Sequence, residues 1–128
     1  MLAAMPKKIL IVDDDPDIVY VLSVRLKANG YTTVTAIDGE AALRKAKEEH
    51  PDLILLDVVM PKMDGYQVLG ELNKYPETKK IPVIMLTARG QIEDADKAMA
   101  LGATSYVLKP FDSVELLAKV KEALLTTR

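Results

Sequence analysis

The stretch ILIVDDDPDI, residues 9–18, places three consecutive aspartates directly after four branched apolar residues. Two carboxylates about 4 Å apart repel by roughly 4 kcal/mol at an effective dielectric of about 20, so the triplet needs a compensating cation or dipole. Asp15 stands before Pro16, which favours the first position of a helix, so Asp15 is the predicted N-cap. Asp13 and Asp14 precede this cap, and the helix start does not explain them. A surface triplet that only begins a helix is the alternative interpretation.

Short apolar runs recur along the chain and alternate with helical patterns, which predicts a parallel sheet covered by helices on both faces. The predicted strands are KKILIV (7–12), YTTVTA (31–36), DLILL (52–56), IPVIML (81–86) and SYVL (105–108). The second run is more polar than the others, so we expect it nearer an edge of the sheet. The predicted helices are DPDIVYVLSVRLKANG (15–30), EAALRKAKEE (40–49), YQVLGELNKY (66–75), IEDADKAMALG (92–102) and SVELLAKVKEALL (113–125). In the last helix, Leu117, Val120 and Leu124 form the predicted inward stripe.

The composition is that of one ordinary globular domain. The chain has 128 residues, of which 49% are hydrophobic and 28% charged, and a net charge of −2. This charge gives no general attraction to nucleic acid or to an anionic membrane, so we expect no direct contact with either. Cysteine is absent, which excludes disulfides and thiolate chemistry and fits a cytoplasmic location. We expect an N-terminal extension at 1–6, one domain at 7–126 and a short C-terminal end at 127–128.

Polar side chains follow the predicted strands at the edge where open parallel sheets bind their ligands. Asp57 follows the third strand, Thr87 the fourth and Lys109 the fifth. If the first and third strands are neighbours, Asp57 meets Asp13 and Asp14 in one pocket. An all-oxygen carboxylate cluster suits Mg²⁺, or Mn²⁺, better than zinc. Lysine and threonine would complete a phosphoryl clamp, although each residue alone is better explained as an ordinary strand-end side chain.

The blocks VDDDP, LDVVMPKMDG, LTARG and LKPF resemble those of the CheY-like receiver domain of two-component response regulators. The resemblance spans residues 7–126. It implies a flavodoxin-like (βα)5 three-layer sandwich of α/β class, in which a parallel five-stranded sheet has the order 2-1-3-4-5. It also implies a cis bond between Lys109 and Pro110.

The resemblance assigns a role to each residue of the predicted pocket. Asp57 is similar to the phosphoacceptor, which takes a phosphoryl group from a sensor histidine kinase or a phosphotransfer protein. Asp14, Asp57 and the backbone carbonyl of Val59 would ligate Mg²⁺, and Asp13 would act mostly through a bound water. Lys109 would pair with the phosphoryl group.

The resemblance further implies a switch that carries the signal to a partner. Thr87 would close over a phosphoryl oxygen, and Tyr106 would then turn from exposed to buried. This movement would change the face formed by the fourth helix, fifth strand and fifth helix, where an unknown downstream protein binds. Such a domain catalyses only its own phosphorylation and dephosphorylation, so we do not expect an enzyme. Taken alone, Tyr106 is better explained as an amphipathic ring at a sheet edge.

Two other functions compete with this interpretation. Asp13 and Asp15 satisfy the D-x-D pattern of haloacid-dehalogenase phosphohydrolases, but the later acids Glu93, Asp94 and Asp96 lie within a predicted helix. A receiver-like module without phosphorylation is the second alternative, which the intact chemical positions disfavour.

Five positions differ from residues that are usual in the receiver family. Val59 and Arg89 occupy places that influence hydrolysis of the phosphoryl group, and an apolar Val59 cannot orient water. Thr104-Ser105 and Lys119 replace an acidic pair and an arginine that receivers of winged-helix transcription factors carry. The chain is either a single-domain regulator or a piece of a larger protein.

Overall fold

The computed structural model describes residues 5–88 and 93–126. Within them, strands and helices alternate as the apolar runs predict. In chain order the elements are β1 Lys8–Val12, α1 Pro16–Ala28, β2 Thr32–Ala36, α2 Gly39–Glu49, β3 Leu53–Asp57, α3 Gly65–Leu72, α4 Pro76–Lys79, β4 Val83–Ala88, α5 Glu93–Ala100, β5 Ser105–Lys109 and α6 Ser113–Thr126.

The five strands form one parallel sheet with the order β2-β1-β3-β4-β5, which confirms the expected fold and topology. The polar strand β2 lies at one edge, as expected, and β5 lies at the other. The three central strands carry almost wholly apolar sequences because helices cover both of their faces. Strand β3 is buried at every position from Leu53 to Asp57.

Alternation along the strands divides the core into two layers, one on each face of the sheet. On one face, Leu10, Ile54 and Met85 pack with residues of α2, α3 and α5. On the other face, Ile11 and Leu55 pack with residues of α1 and α6. The sheet is therefore a rigid platform, and its polar strand ends are fixed relative to one another.

The ends of helix α1 follow from local sequence chemistry. The side chain of Asp15 accepts a hydrogen bond from the backbone N–H of Asp17 at 2.9 Å, which confirms the predicted N-cap. At the other end, Gly30 has a φ of +90° and follows the C-cap residue Asn29. The N–H of Tyr31 donates to the carbonyl of Leu26 at 3.1 Å, which completes a Schellman motif.

The structure corrects two helix predictions. Helix α3 ends at Leu72 and not at Tyr75, and the short helix α4 follows it. Pro76 has no N–H to continue α3 but suits the first turn of a new helix. The described residues therefore contain one more helix than predicted, and the predicted fourth and fifth helices are α5 and α6.

The inward stripe of α6 includes Val120, as predicted, but differs from its prediction at the other two positions. Leu116, Val120 and Ala123 are the buried positions, whereas Leu117 and Leu124 are partly buried at its side. Helix α5 begins at Glu93, and the predicted start at Ile92 lies outside the described residues.

Among the described residues, no helix is both long enough and apolar enough to cross a lipid bilayer.

Candidate functional site

Strand register brings the predicted acidic residues together at the carboxyl edge of the sheet. Val12 of β1 pairs with Leu56 of β3, so Asp13 and Asp57 leave adjacent strands at the same level. One ligand oxygen from each of Asp13, Asp14 and Asp57 lies within 4.8 Å of the others. The predicted convergence of the three carboxylates is therefore present.

The three carboxylates differ in their exposure to solvent. Asp13 is 0% exposed and Asp57 is 6% exposed, whereas Asp14 is open to solvent. One oxygen of Asp13 accepts the backbone N–H of Asp15 at 2.9 Å, which ties the acidic pocket to the start of α1. The cluster thus has a buried base and a solvent-accessible mouth.

Lys109 supplies part of the positive charge that the acidic triplet requires. Its ammonium donates to Asp13 at 2.8 Å and to Asp57 at 3.1 Å, so it bridges the two buried carboxylates. The peptide bond that follows, from Lys109 to Pro110, is cis, as expected. Because one ammonium faces three carboxylates, the ionised cluster keeps a formal charge of about −2.

The electrostatics of the pocket make Asp57 a weaker acid than usual. Burial and the charge of Asp13 raise the pKa of Asp57 to about 6, against the lowering effects of Lys109 and of the backbone N–H of Val59. Burial acts to lower the pKa of Lys109, but the hydrogen bond that Lys109 donates to Asp13 and the charges of both carboxylates outweigh it and raise that pKa. The ion pairs therefore hold Lys109 as an ammonium.

The donor set of the acidic pocket suits a hard divalent metal ion. It consists of carboxylate oxygens and contains no histidine or cysteine, as hard cations prefer. Its residual charge matches a divalent ion, and exposure of Asp14 leaves one side open to water and other ligands. The residues present fit Mg²⁺ or Mn²⁺.

The loop from β3 to α3 is held close to Asp57 by backbone contacts. The N–H of Gly65 donates to the carbonyl of Val58 at 2.8 Å. A Cβ on Gly65 would overlap the carbonyl oxygen of Asp57 and lie 2.9 Å from the Cα of Val58, so only glycine fits there. Asp64 and Gln67 form a capping box at the start of α3, so Asp64 is the N-cap of this helix. Val59 of this loop is 56% exposed.

Thr87 and Tyr106 lie on the two strands beyond Asp57. Thr87 is buried at the end of β4, directly after the residue that pairs with Asp57, and its hydroxyl donates to the carbonyl of Ala88 at 3.4 Å. Tyr106 is half-buried on β5 and packs against the core. The carbonyl of Tyr106 accepts a hydrogen bond from the ammonium of Lys119 on α6. Sequence analysis did not predict this contact, because the partner of a long side chain depends on the folded structure. Arg89 lies outside the described residues.

An open groove of about 460 Å³ adjoins the acidic pocket on the side of Asp14. Its lining consists of Asp14, Pro16, Ile37, Asp38, Pro61 and Lys62. Sequence analysis did not predict this groove, since its walls come from three separate loops. It provides a route by which a group from solvent reaches the carboxylates.

The chain is similar to known proteins in both sequence and fold. A family model described as the response regulator receiver domain matches residues 9–121. The probable transcriptional regulator ycf27 of Cyanophora paradoxa is 50% identical over 121 residues, which cover 94% of this chain and 49% of that protein. The alkaline phosphatase synthesis transcriptional regulatory protein PhoP of Bacillus subtilis (strain 168) is 46% identical over 120 residues, which cover 94% of this chain and 49% of that protein. The chemotaxis protein CheY4 of Vibrio cholerae has a TM-score of 0.87 at 34% identity, covering 93% of this chain and 99% of that one.

The chain belongs to the response regulator receiver domain family. It is therefore a phosphoacceptor signalling domain, and neither the phosphohydrolase nor the non-phosphorylatable module is favoured. The chain spans about half the length of the relatives ycf27 and PhoP that it matches, 49% in each case.

Proposed function

We propose that Asp57 accepts a phosphoryl group from the phosphohistidine of a sensor kinase or a phosphotransfer protein, with Mg²⁺ bound beside it. The observation that carries this proposal is the gathering of Asp13, Asp14 and Asp57 around one point, with Lys109 bridging two of them. A structural role alone does not require three carboxylates within 4.8 Å of one another at a solvent-accessible mouth.

Asp57 is the nucleophile in this proposal. A carboxylate oxygen of Asp57 attacks phosphorus, the O–P bond forms as the P–N bond breaks, and the electron pair remains on the imidazole nitrogen of the donor. Because the pKa of Asp57 is about 6, the carboxylate is mostly ionised at neutral pH and can attack. The buried part of the pocket, where Asp13 and Asp57 lie, excludes water from one side of the reacting carboxylate.

Lys109 and Thr87 then hold the product. Lys109 already bonds Asp57, so its ammonium is placed to pair with a phosphoryl oxygen attached there. Within the described part of the chain, the hydroxyl of Thr87 makes one hydrogen bond, which is long at 3.4 Å and therefore weak. Breaking it to donate to a phosphoryl oxygen would cost little free energy.

Asp14, Asp57 and the backbone carbonyl of Val59 would hold the metal, and Asp13 would act on it through a bound water. When bound, Mg²⁺ supplies the positive charge that neutralises the transferring phosphoryl oxygens. Asp14 suits this role because it is open to solvent, whereas Asp13 is buried and already bonds Lys109.

The output of the proposed switch is the surface of α5, β5 and α6, which a downstream protein would recognise after Thr87 and Tyr106 move. The phosphoryl group would remain on the domain itself, so no external substrate is turned over. We take the receiver to extend over residues 7–126, since β1 begins at Lys8 and α6 ends at Thr126. We place this exchange in the cytoplasm, as expected from the composition, and we propose no direct contact with nucleic acid or membrane.

The test is phosphate uptake from acetyl phosphate, followed by intact mass spectrometry. The wild-type protein is incubated with acetyl phosphate and Mg²⁺, and a second sample receives a chelator in place of the metal. We expect one phosphoryl group per chain with Mg²⁺ and very little with the chelator. The modification should be labile to base because an acyl phosphate hydrolyses readily.

Matched variants locate the reaction. Asp57→Asn keeps the size of the side chain and removes the nucleophile, so uptake should be lost. Asp96→Asn removes the same charge at an exposed site on α5 and should leave uptake unchanged. Uptake that persists in Asp57→Asn, or a wild-type protein that takes up no phosphate, would contradict the proposal.

A further inference from the structure

The carbonyl oxygen of Tyr106 lies at the free edge of the sheet. Within residues 5–88 and 93–126, strand β5 pairs only with β4, so the backbone groups on its outer side have no strand partner there. The ammonium of Lys119, on α6, donates to the carbonyl oxygen of Tyr106 at 2.6 Å. Lys119 therefore satisfies an acceptor that the sheet leaves open.

The same ammonium also contacts the aromatic ring of Tyr106. Its nitrogen lies 5.1 Å from the ring centroid, within the distance of about 6 Å at which cation–π attraction operates. Both side chains are half-buried, so water screens this attraction less than at a fully exposed site. One charge is thus shared between the backbone and the ring of a single residue.

The two contacts respond differently to a movement of the ring. Rotation about the side-chain bonds of Tyr106 leaves its carbonyl in place, so the hydrogen bond keeps the ammonium anchored. The same rotation changes the distance from the ring to the ammonium and removes the cation–π contact. Lys119 is therefore a fixed charge that favours one ring position over others.

We propose that Lys119 is a positioning residue for the Tyr106 ring and biases it toward the position seen in this structure. This inference rests on the proposed function, in which the ring moves after phosphorylation. Movement of the ring must overcome the attraction of Lys119, so this lysine sets how far a given degree of phosphorylation shifts the ring. A partner that recognises this face meets Lys119 already engaged with Tyr106.

The experiment follows the ring signals of isotope-labelled tyrosine by NMR, first without phosphodonor, and Tyr106→Phe assigns the signal. Lys119→Met keeps the length and apolar stem of the lysine and removes its charge. We expect it to change the ratio of ring positions by about two- to fivefold, as expected for a half-exposed cation–π contact. Lys119→Arg should restore the wild-type ratio because a guanidinium both donates to a carbonyl and stacks on a ring. Lys121→Met, at an exposed position of the same helix, should match the wild type.

A further variant separates the ring contact from the backbone contact. Lys119→Gln can still donate to the carbonyl of Tyr106 but carries no charge, so its ring signal should resemble that of Lys119→Met. Tyr106 ring signals that are the same in Lys119→Met as in the wild type would overturn the inference. So would failure of Lys119→Arg to restore the ratio.

Phosphate uptake, measured on the same samples by mass spectrometry, separates this inference from the proposed function. If the wild type takes up phosphate and the Tyr106 ring signals are the same in Lys119→Met as in the wild type, only the positioning role fails. If the ring responds to Lys119→Met without phosphodonor and no chain takes up phosphate, the positioning contact stands and the phosphoacceptor proposal fails.

Discussion

The raised pKa of Asp57 predicts that the proposed nucleophile destabilises the folded protein near neutral pH. Its pKa rises from 3.8 in an ordinary environment to about 6 in the fold, chiefly through burial and the charge of Asp13. The folded state therefore binds the proton more tightly than the unfolded state does. Stability is lost as pH rises from about 4 through 6, and the full cost is present above that range.

The magnitude follows from the size of the pKa change. A difference of about two pH units corresponds to roughly 3 kcal/mol, at about 1.4 kcal/mol per unit. Asp57→Asn cannot ionise, so without divalent metal we expect it to be more stable than the wild type by this order at pH 7.5. Near pH 4 the difference should be small, because the carboxyl of Asp57 is then protonated in the fold.

The assay is urea unfolding, followed by circular dichroism at pH 4, 6 and 7.5 in the presence of a chelator. Asp96→Asn is the control for loss of one negative charge, and its effect should stay within about 0.5 kcal/mol. Added Mg²⁺ should stabilise the wild type more than Asp57→Asn, because the ion binds the folded carboxylates. A wild type that is more stable than Asp57→Asn at pH 7.5, or a difference that does not change with pH, would refute the reasoning.

Three further substitutions test the loop beside the site. Asp64→Ala removes the capping box of α3 and should lower the free energy of unfolding by about 1 kcal/mol, measured by urea unfolding, with no change in phosphate uptake. Gly65→Ala forces a Cβ against the Asp57 backbone and should reduce both stability and the initial rate of uptake from acetyl phosphate; a wild-type rate would contradict this. Val59→Asn provides a polar group beside the phosphoryl group and should shorten its lifetime after removal of the donor, whereas an unchanged lifetime would show that Val59 does not restrict water.

The acidic site could be predicted because it depends on features that the sequence displays directly. Asp13 and Asp57 each end an almost continuous apolar run, and the carboxyl ends of parallel strands share one edge of the sheet. The resemblance to receivers supplied the strand order, which periodicity alone does not determine. Together these features placed the carboxylates in one pocket, as observed.

Helix boundaries and packing were less accessible to sequence analysis. Helix α4 has only four residues, too few to show a periodic pattern, and its buried Thr78 is held by a hydrogen bond to the carbonyl of Leu72 at 2.7 Å. On α6, the predicted stripe was Leu117, Val120 and Leu124, but the buried positions are Leu116, Val120 and Ala123. Tertiary packing decided both points.

The contact of Lys119 with Tyr106 was beyond prediction for a different reason. A lysine side chain has many rotamers of similar energy, so its partner depends on the folded surface around it. The sequence showed only that lysine replaces an arginine found in some receivers. The structure shows that the ammonium of Lys119 contacts both the aromatic ring and the carbonyl of Tyr106.

The most direct test of the account identifies the residue that carries the phosphoryl group. Protein treated with acetyl phosphate and Mg²⁺ is reduced with borohydride, which converts an aspartyl phosphate to homoserine, and the peptides are then sequenced by mass spectrometry. The account predicts homoserine at position 57 in the wild type and at no position in Asp57→Asn. Homoserine at Asp13 or Asp14, or none at all in phosphorylated wild-type protein, would contradict it.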